Sequence, residues 1–536
     1  MSPRDFKPGQ SPYNNRAECW VIRLLQQLVN SLTTVFLNHS TTSLCIDPSS
    51  DQQASRSFMM GSDVEMYSKN TNGNANVEAT AFPVSSNPDK SPEYNDPERD
   101  AVFGARKEGE VDYRSVGMLK SIVLMVKLTI ALGVLAMPQV LLEVGAVPGV
   151  IIIIVISLLT TWSGRVIGTF KANHPEVYSL DGVGYVLAGN WGREVFSFAY
   201  ALFMICLCGS GFITTSLAFN AITDHAACTV VWAVVAAVVT FAFASLQTLN
   251  KVSILGWIGF FSILSAILII TVAVGVEDRP EAAPSTGPWD KDIHAFNSEA
   301  SFLGGMGAVS TTVFAYCGTP AFFNVIGEMR QPKRFNQALF ASQGLCTALY
   351  ITIGVVVYYY CGQYISNPAL GSAGIIIKKV SYGIALPGLF VGCILYTHVG
   401  AKMLFVRLLR GSDHLTGTSF IHWSVWLGTV GMSVAIAFIL AESIPFFGDF
   451  VSLVGATLGT FLCLITPALM WLHDNWALHK ERTSIGFRSR IALSVFTLLA
   501  GVFIVITGTW SSVLSIKDSY ADGSVGSAFS CADNSN

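Results

Sequence analysis

Two apolar segments carry helix-breaking residues near the middle of their length. The stretch TIALGVLAMPQ contains Gly133 and Pro138, and the stretch FAYCGTPAFF contains Gly318 and Pro320. In a helix interior, Gly and Pro cost roughly 1 and 3 kcal/mol relative to Ala. A helix that opens inside a membrane exposes backbone amides and carbonyls, which is tolerable only around a protein-lined cavity. The two segments therefore indicate a ligand site.

The chemistry of such a site suits a zwitterion. Free amides at the start of a half-helix attract a carboxylate, and free carbonyls at the end of another attract an ammonium group or a cation. Packing is the alternative for either break alone, since Gly and Pro are frequent in membrane helices. Their matching positions favour function, as does a polar cluster beside the second break: Ser310, Thr311, Thr312 and Tyr316.

Three ionisable residues within apolar stretches are candidates for ion coupling or gating. Lys127 lies near mid-membrane, where a charge costs about 3 kcal/mol; it is a proton carrier, a fixed cation in the place of a sodium ion, or a lysine that snorkels to the interface. His398 could titrate near neutrality or hydrogen-bond two helices. Glu328 precedes a basic loop and either joins an inner gate or is a solvated interface charge.

The elements that position these residues are membrane helices. Of the 536 residues, 51% are hydrophobic and only 12% are charged, which excludes a water-soluble architecture. Eleven apolar segments are each long enough to cross about 30 Å of hydrocarbon: 117–142, 147–170, 194–220, 228–246, 252–275, 302–327, 336–361, 381–406, 422–441, 445–472 and 489–514. We number them spans 1 to 11. The breaks fall in spans 1 and 6, which occupy equivalent places in spans 1–5 and 6–10. Discontinuous helices in matching places of inverted repeats point to the binding site of a secondary transporter.

Basic residues of the short loops favour a cytoplasmic amino terminus and an outer carboxyl terminus. We expect three regions: 1–115, a mostly disordered cytoplasmic tail with an amphipathic stretch at Cys19 to Leu37; 116–515, the transmembrane domain; and 516–536, a short outer tail. We favour the plasma membrane over the vacuolar membrane. The tail is a candidate for cytoplasmic regulators, although residues 1–60 could also be translated non-coding sequence.

The residues around both breaks resemble a known family. GMLKSIVLMVKLTIALGVLAMPQVLLEVGAVPG is similar to the opening span of the amino acid/auxin permease family, and FAYCGTPAFFNVIGEMRQPKRF is similar to its sixth span. The resemblance covers about 115–515 and is closest to fungal neutral amino acid permeases. It implies an all-α membrane protein with the five-plus-five inverted repeat of the bacterial leucine transporter, an eleventh helix, and amino acid uptake coupled to protons or sodium.

Carried over by motif, the resemblance implies specific site residues. The substrate carboxylate would meet the backbone of Thr129, Ile130, Ala131, Leu132 and Gly133, and the ammonium the carbonyls of Phe314, Ala315, Tyr316 and Cys317. Side-chain selectivity would come from spans 3, 6 and 8, for which we choose Phe314, Tyr316, Cys208, Gly209 and Leu395. Packing is the competing role for each of them.

Two departures from the family pattern bear on ion coupling. Ala131 replaces the first Gly of the motif, so Gly133 remains the flexible position, and Lys127 stands where many relatives have a small or polar residue. Thr397 matches a hydroxyl of the family's sodium site, but a nearby Lys127 would repel sodium. We therefore expect neutral amino acids to be carried by proton symport, with sodium coupling as the alternative.

The remaining chemistry is negative or weak. The cysteine spacing shows no metal site, no cofactor is expected, and a net charge of −3 argues against a nucleic-acid partner. Cys228 and Cys361 are both expected at the outer face, where the predicted topology allows a disulfide between them. An enzyme would need clustered catalytic groups and a channel would need polar rings. A transporter-like amino acid sensor remains as an alternative.

Overall fold

The computed structural model describes residues 116–534 except 131–132, 178, 247–248, 278, 285, 410–411, 413, 415–418, 445, 480–483 and 522–527, with the backbone alone for 99–100, 104–105 and 249–255. Chain contacts divide the protein into two units, 1–18 with 100–536, and 19–99. Of the second unit only Arg99 is described. Most of the predicted tail, with its amphipathic stretch, lies outside the described residues.

The secondary structure is helical apart from two paired strands of two residues, Arg99–Asp100 and Gly104–Ala105. The spans of the first half are Met118–Ile130 with Gly133–Ala136 and Met137–Val144 (span 1), Ala146–Asn173 (span 2), Leu180–Thr223 (span 3), Thr229–Ala244 (span 4) and Leu249–Val276 (span 5).

The second half begins with Phe302–Ala315, Thr319–Ala321 and Phe322–Glu328 (span 6), and continues with Phe335–Cys361 (span 7), Ile375–Leu408 (span 8) and Phe420–Ser443 (span 9). Span 10 is Phe447–Val454, Gly455–Gly459, Phe461–Ile465 and Thr466–Asn475, and span 11 is Ile485–Ala521. Short 3-10 turns occupy Pro332–Arg334, Gly362–Tyr364, Ala369–Gly371 and Trp476–His479.

These helices agree with the eleven predicted spans. Nine helices of the described chain are long and apolar enough to cross a membrane, and the bent pair of span 1 makes a tenth. The 16-residue helix of span 4 is apolar but shorter. The predicted fold class is confirmed: an all-α membrane protein with about eleven helices, the first and sixth of which are broken.

Burial separates the central spans from the peripheral ones. In the apolar windows of spans 3 and 6, 89% and 83% of residues are buried, against 33% in span 11 and 39% in spans 2, 5, 7 and 9. The peripheral spans present apolar side chains outward, as lipid requires. Spans 3 and 6 therefore form the centre of the bundle, where a site can be shielded from lipid.

Span 3 begins with a separate helical segment. Ala188 and Gly189 depart from helical geometry, and Gly189 has φ 66° and ψ −149°, a conformation that glycine adopts with little strain. The break separates a first segment from the long membrane helix that follows it. Here and below, the amino side is the end of the bundle at which span 1 begins, and the far side is the opposite end.

Candidate functional site

The break in span 1 lies before its proline. The first half-helix ends at Ile130, the second begins with the 3-10 turn Gly133–Ala136, and the two halves meet at a bend of 45°. Ala131 and Leu132, two of the predicted site residues, lie outside the described residues. Pro138 occupies the first turn of Met137–Val144, where its missing N–H leaves no helical hydrogen bond unmade. Pro138 therefore lies beyond the break, at the start of the α-helical part of the second half, and does not cause the break.

Span 6 opens in the same way. Its first half-helix ends at Ala315, a turn follows, and the 3-10 turn Thr319–Ala321 leads into Phe322–Glu328. Pro320 again sits in the first turn of the segment that follows the break. In both spans the first half-helix ends before the break, a 3-10 turn begins the second half, and a proline lies in a first turn after the break.

The two breaks contact each other through their glycines. A Cβ atom added at Gly133 would lie 2.3 Å from the Cα of Ala315, and one added at Gly318 would lie 2.7 Å from Oγ1 of Thr129. The glycine of each break thus packs against the end of the first half of the other span. Gly318 has an ordinary φ of −71°, so the close approach, and not backbone conformation, requires glycine there.

A tyrosine of span 7 bridges both breaks. The hydroxyl of Tyr350 lies 2.9 Å from the carbonyl oxygen of Thr129 and 2.8 Å from that of Ala315. Its side chain is fully buried, and its ring contacts that of Tyr316 edge to face at a centroid distance of 5.0 Å. One hydroxyl hydrogen serves two carbonyls, so they compete for it. Sequence reasoning missed Tyr350, because nothing local distinguishes it from the other aromatic residues of span 7.

Other backbone carbonyls of the span 6 break also have partners. Phe314 O accepts a hydrogen bond from the Cys317 amide at 3.0 Å, and Tyr316 O accepts one from Oγ1 of Thr319 at 3.2 Å. The hydroxyl of Tyr316 donates to Oγ1 of Thr347 at 2.9 Å. Three of the four carbonyls predicted to bind an ammonium group, those of Phe314, Ala315 and Tyr316, are thus engaged within the protein, and a ligand that binds them must replace these contacts.

A cavity lies between the two breaks. It is narrow: the centre of a water molecule has about 10 Å³ in which to move, and the residues that line it come from spans 1, 3, 6 and 8: Leu128, Thr129, Gly133, Leu207, Phe314, Cys317 and Tyr396. By this measure a single water needs about 10–15 Å³, so the walls must move apart to admit a larger ligand. The structure thus brings together Thr129, Gly133, Phe314 and Cys317 of the predicted set. Ile130, the last residue of the first half-helix, is buried beside them.

The other predicted selectivity residues point elsewhere. Cys208 accepts a hydrogen bond from Thr397, and a Cβ atom added at Gly209 would meet Ala437 of span 9 and Phe450 of span 10. The walls on spans 3 and 8 are instead Leu207 and Tyr396, each one residue from a predicted position, Cys208 and Leu395. One residue turns a helix by about 100°, so hydropathy alone could not choose between these neighbours.

Lys127 is buried between spans 1, 5 and 8. Its side chain is 5% exposed, and Nζ lies 3.5 Å from the carbonyl oxygen of Gly388. Beside it, the hydroxyl of Ser262 on span 5 hydrogen-bonds to the backbone of span 8. It donates to Ile384 O at 2.5 Å and accepts from the Gly388 amide at 2.9 Å. Pro387 lies in the same turn. The ammonium group of Lys127 therefore faces a locally opened helix.

Thr397 and His398, the two candidates for ion coupling on span 8, lie away from Lys127. Thr397 follows Gly388 by nine residues, which is about 13 Å along a helix, and it donates to Sγ of Cys208 at 3.2 Å. His398 is fully buried, with Nδ1 3.3 Å from Ala244 O and its ring 5.3 Å from that of Trp426. These contacts join span 8 to spans 3, 4 and 9.

Glu328 lies where the amino-side ends of spans 1 and 6 are tied together. The Val116 amide donates to Glu328 O at 3.1 Å, and the Arg330 amide donates to Val116 O at 2.9 Å. The Glu328 carboxylate interacts electrostatically with the ammonium group of Lys402 on span 8. Backbone hydrogen bonds beside Glu328 therefore join the amino-side ends of spans 1 and 6.

The disulfide prediction is wrong about one partner. Cys228 is bonded to Cys531 in the carboxyl-terminal tail, and Cys361 is a buried free thiol. Cys361 closes span 7 and packs inside the bundle, whereas Cys228 precedes span 4 at the far side. The tail returns to the bundle after span 11 and so reaches Cys228, which sequence spacing did not reveal.

Two broken helices, placed five spans apart and flanking a cavity in the centre of a membrane bundle, are the arrangement typical of secondary transporters. Residues 114–514 match the family model described as transmembrane amino acid transporter protein. The chain belongs to this family.

Two relatives at more than 30% identity agree with this assignment. A transmembrane transporter of Gibberella moniliformis is 35% identical over 434 residues, which cover 81% of this chain and 91% of that protein. The N amino acid transport system protein of Neurospora crassa is 32% identical over 432 residues, which cover 80% and 90%. Among solved structures, that of Mhp1, a nucleobase-cation-symport-1 family transporter in a closed conformation with bromovinylhydantoin bound, covers 80% of this chain and 95% of that one, with 11% identity and a TM-score of 0.46.

The family assignment confirms the coarse functional predictions. The protein is a multi-pass membrane transporter of amino acids, and it is not an enzyme.

Proposed function

We propose that the protein is a proton-coupled symporter of neutral amino acids, aliphatic or aromatic, that works by alternating access. The observation that carries this proposal is the cavity enclosed by the two interlocked breaks. The ammonium group of the substrate binds the carbonyls of Thr129 and Ala315, and its carboxylate binds the backbone at the start of the second half of span 1.

The lining of the cavity supports a neutral substrate. None of the seven described residues that line it is charged, and Leu128, Leu207, Phe314 and Tyr396 supply apolar surface for a side chain. A charged side chain would be buried there without a counter-ion, at a cost of several kcal/mol. The name of the Neurospora crassa relative, an amino acid transport system protein, is consistent with this substrate class.

The position of Lys127 supports proton coupling over sodium coupling. Its ammonium group is buried and faces the Gly388 carbonyl, where it competes with a metal cation for the same oxygen. A buried lysine can also release its proton within the transport cycle. We propose that the amino side is cytoplasmic, that the far side is extracellular, and that the plasma membrane holds the protein.

Uptake into proteoliposomes tests the transport proposal. Purified protein under an imposed inward proton gradient should accumulate radiolabelled neutral amino acids, and an excess of unlabelled neutral substrate should compete where basic and acidic amino acids do not. A transporter-like sensor would bind amino acids without moving them, so saturable binding without accumulation would favour the sensor.

Replacement of Lys127 tests the coupling ion. Lys127→Ala should abolish accumulation driven by the proton gradient yet retain exchange of labelled for unlabelled substrate, because the cavity is intact. Lys120→Ala, which removes an exposed lysine of the same span, is the matched control. Sodium replaced by choline at constant pH should leave wild-type uptake unchanged; a collapse of uptake in choline would assign coupling to sodium.

A further inference from the structure

A cluster of two histidines and one aspartate lies at the amino side, away from the cavity. His174 directly follows span 2, and His473 and Asp474 belong to the last helical turns of span 10. Nε2 of His174 lies 2.9 Å from Oδ1 of Asp474, and Nδ1 of His473 lies 3.2 Å from the same oxygen. The ligand atoms of all three side chains lie within 4.8 Å of one another.

Two of the three ligand-atom separations are close to those of a tetrahedral zinc site. Zn²⁺ binds imidazole nitrogen and carboxylate oxygen at about 2.0–2.2 Å, which places tetrahedral ligand atoms roughly 3.3 Å apart. The separations of 2.9 and 3.2 Å around Asp474 are near this value. We propose that His174, His473 and Asp474 bind a Zn²⁺ ion that ties span 2 to span 10.

Two neighbouring side chains lie where they would orient the metal ligands. The carboxylate of Glu176 lies 3.6 Å from Nδ1 of His174, the ring nitrogen that points away from Asp474. A carboxylate on the outer nitrogen of a ligating histidine orients the ring and raises its basicity. Asn173 donates from Nδ2 to Oδ2 of Asp474 at 3.0 Å, which leaves Oδ1 for the metal.

The site is open to solvent on one side. The side chains of His174 and Asp474 are 24% and 11% exposed, and that of His473 is 28% exposed. Three protein ligands leave a fourth position for water. Imidazole ligands favour zinc over magnesium and calcium, which prefer oxygen. The site therefore suits a metal that exchanges with the surrounding solution.

Zinc at this position has a consequence for transport, and this part of the inference rests on the proposed function. Span 2 belongs to the first group of five spans and span 10 to the second. Alternating access rocks one part of such a fold against the other, so a metal that joins the two spans should slow the cycle.

Direct binding measurements test the site. The full-length protein, freed of metal with EDTA, is titrated with ZnCl₂ by calorimetry, and with CoCl₂ to record the visible bands of coordinated cobalt. The hydrogen bond and charge of Asp474 outweigh burial and raise the pKa of His174, so the titrations are done at about pH 8, above the ordinary imidazole pKa of about 6.5.

Wild type should bind one Zn²⁺ saturably. His174→Ala and His473→Ala should each weaken binding by more than the loss of about tenfold expected for Glu176→Gln, which removes a carboxylate that only orients a ligand. His294→Ala is the matched control, because His294 pairs with Asp292 at 3.0 Å on the far side. No saturable binding by wild type, or equal binding by the two ligand variants, would overturn the site. The cobalt bands of wild type decide the question if a variant does not fold.

Uptake measured with Zn²⁺ on the amino side tests whether the bound metal slows transport. Zinc should slow uptake severalfold in wild type and in the control His294→Ala, and it should leave uptake by His174→Ala at the rate measured without metal. Zinc binding with unchanged uptake would overturn the inference that the bound metal slows transport. A protein that binds zinc but transports no amino acid would contradict the proposed function alone.

Discussion

At the scale of single residues, the centre of the candidate site depends on a side chain that hydrogen-bonds to backbone carbonyls. Tyr350 satisfies the two carbonyls at the ends of the first half-helices of spans 1 and 6. A substrate ammonium group carries three hydrogens and can serve both carbonyls at once, whereas the hydroxyl carries one. In the proposed function, substrate binding replaces a contact that is incomplete in the protein itself.

Tyr350→Phe should destabilise the protein and impair transport. The variant keeps the ring but leaves two buried carbonyls without this donor, at about 1–3 kcal/mol for each unsatisfied group. We expect a lower thermal midpoint and a reduced uptake rate, with partial recovery of the midpoint when substrate is added. Thermal unfolding in detergent and proteoliposome uptake measure both effects.

The control for this variant is Tyr359→Phe, which removes a hydroxyl from a tyrosine of the same span that is 59% exposed. Equal thermal midpoints for the two variants would show that the Tyr350 hydroxyl contributes no stability.

At the scale of elements, the breaks are defined by how closely two helices approach. Gly133 and Gly318 each face the opposite break, and span 10 packs behind span 6 through two more glycines. A Cβ atom added at Gly455 would lie 2.1 Å from Ser310 O, and one at Gly459 would lie 2.5 Å from Sγ of Cys317. Span 10 has π-helical geometry over Gly455–Gly459 and Phe461–Ile465. Such irregularity is frequent at functional sites.

Gly133→Ala should separate spans 1 and 6 and abolish uptake. The added methyl group would meet the backbone of Ala315 at 2.3 Å, a contact that rotation of a side chain cannot relieve. Overpacking of this kind costs about 1–3 kcal/mol or more. Uptake and thermal unfolding of the purified variant measure the effect.

Gly344→Ala is the matched control, because a Cβ atom added at Gly344 of span 7 has nothing within 4 Å. That variant should transport at the wild-type rate. Normal uptake by Gly133→Ala would exclude the close contact of the two breaks as a requirement for transport.

At the scale of the whole molecule, the carboxyl-terminal tail closes the far side of the bundle. Besides the disulfide from Cys531, Ala532 O accepts a hydrogen bond from Thr229 at 2.6 Å, and Asn534 accepts one from Asn220 at 2.9 Å. The Phe529 amide donates to Glu442 O at 3.2 Å. The tail therefore links spans 3, 4 and 9 to span 11.

Cys531→Ser should lower the thermal stability of the protein. The disulfide joins residues 303 positions apart, and removal of a native disulfide commonly costs about 2–4 kcal/mol. Cys228→Ser and the double variant should show the same loss, because each removes the same bond. Thermal unfolding and mass spectrometry of unreduced peptides provide the measurements.

Cys361→Ser is the control, since this residue is a free thiol and should leave the linked peptide containing Cys228 and Cys531 in place. A peptide that links Cys228 to Cys361 instead would contradict the observed pairing.

The sequence by itself determined the elements and the location of the site. Apolar length predicted all eleven spans, and paired Gly and Pro residues in spans 1 and 6 located both breaks, because helix propensity and membrane thickness act on local sequence. Thr129, Gly133, Phe314 and Cys317, which the family resemblance implied, line the cavity.

Only the tertiary structure decided which residues meet across the bundle. Leu207 and Tyr396 line the cavity in place of their neighbours because helix rotation is set by packing, which hydropathy does not encode. The bridge of Tyr350, the pairing of Cys228 with Cys531, and the cluster of His174 with His473 and Asp474 join residues that lie far apart in the chain. Such contacts depend on the arrangement of whole helices, so no local pattern can reveal them.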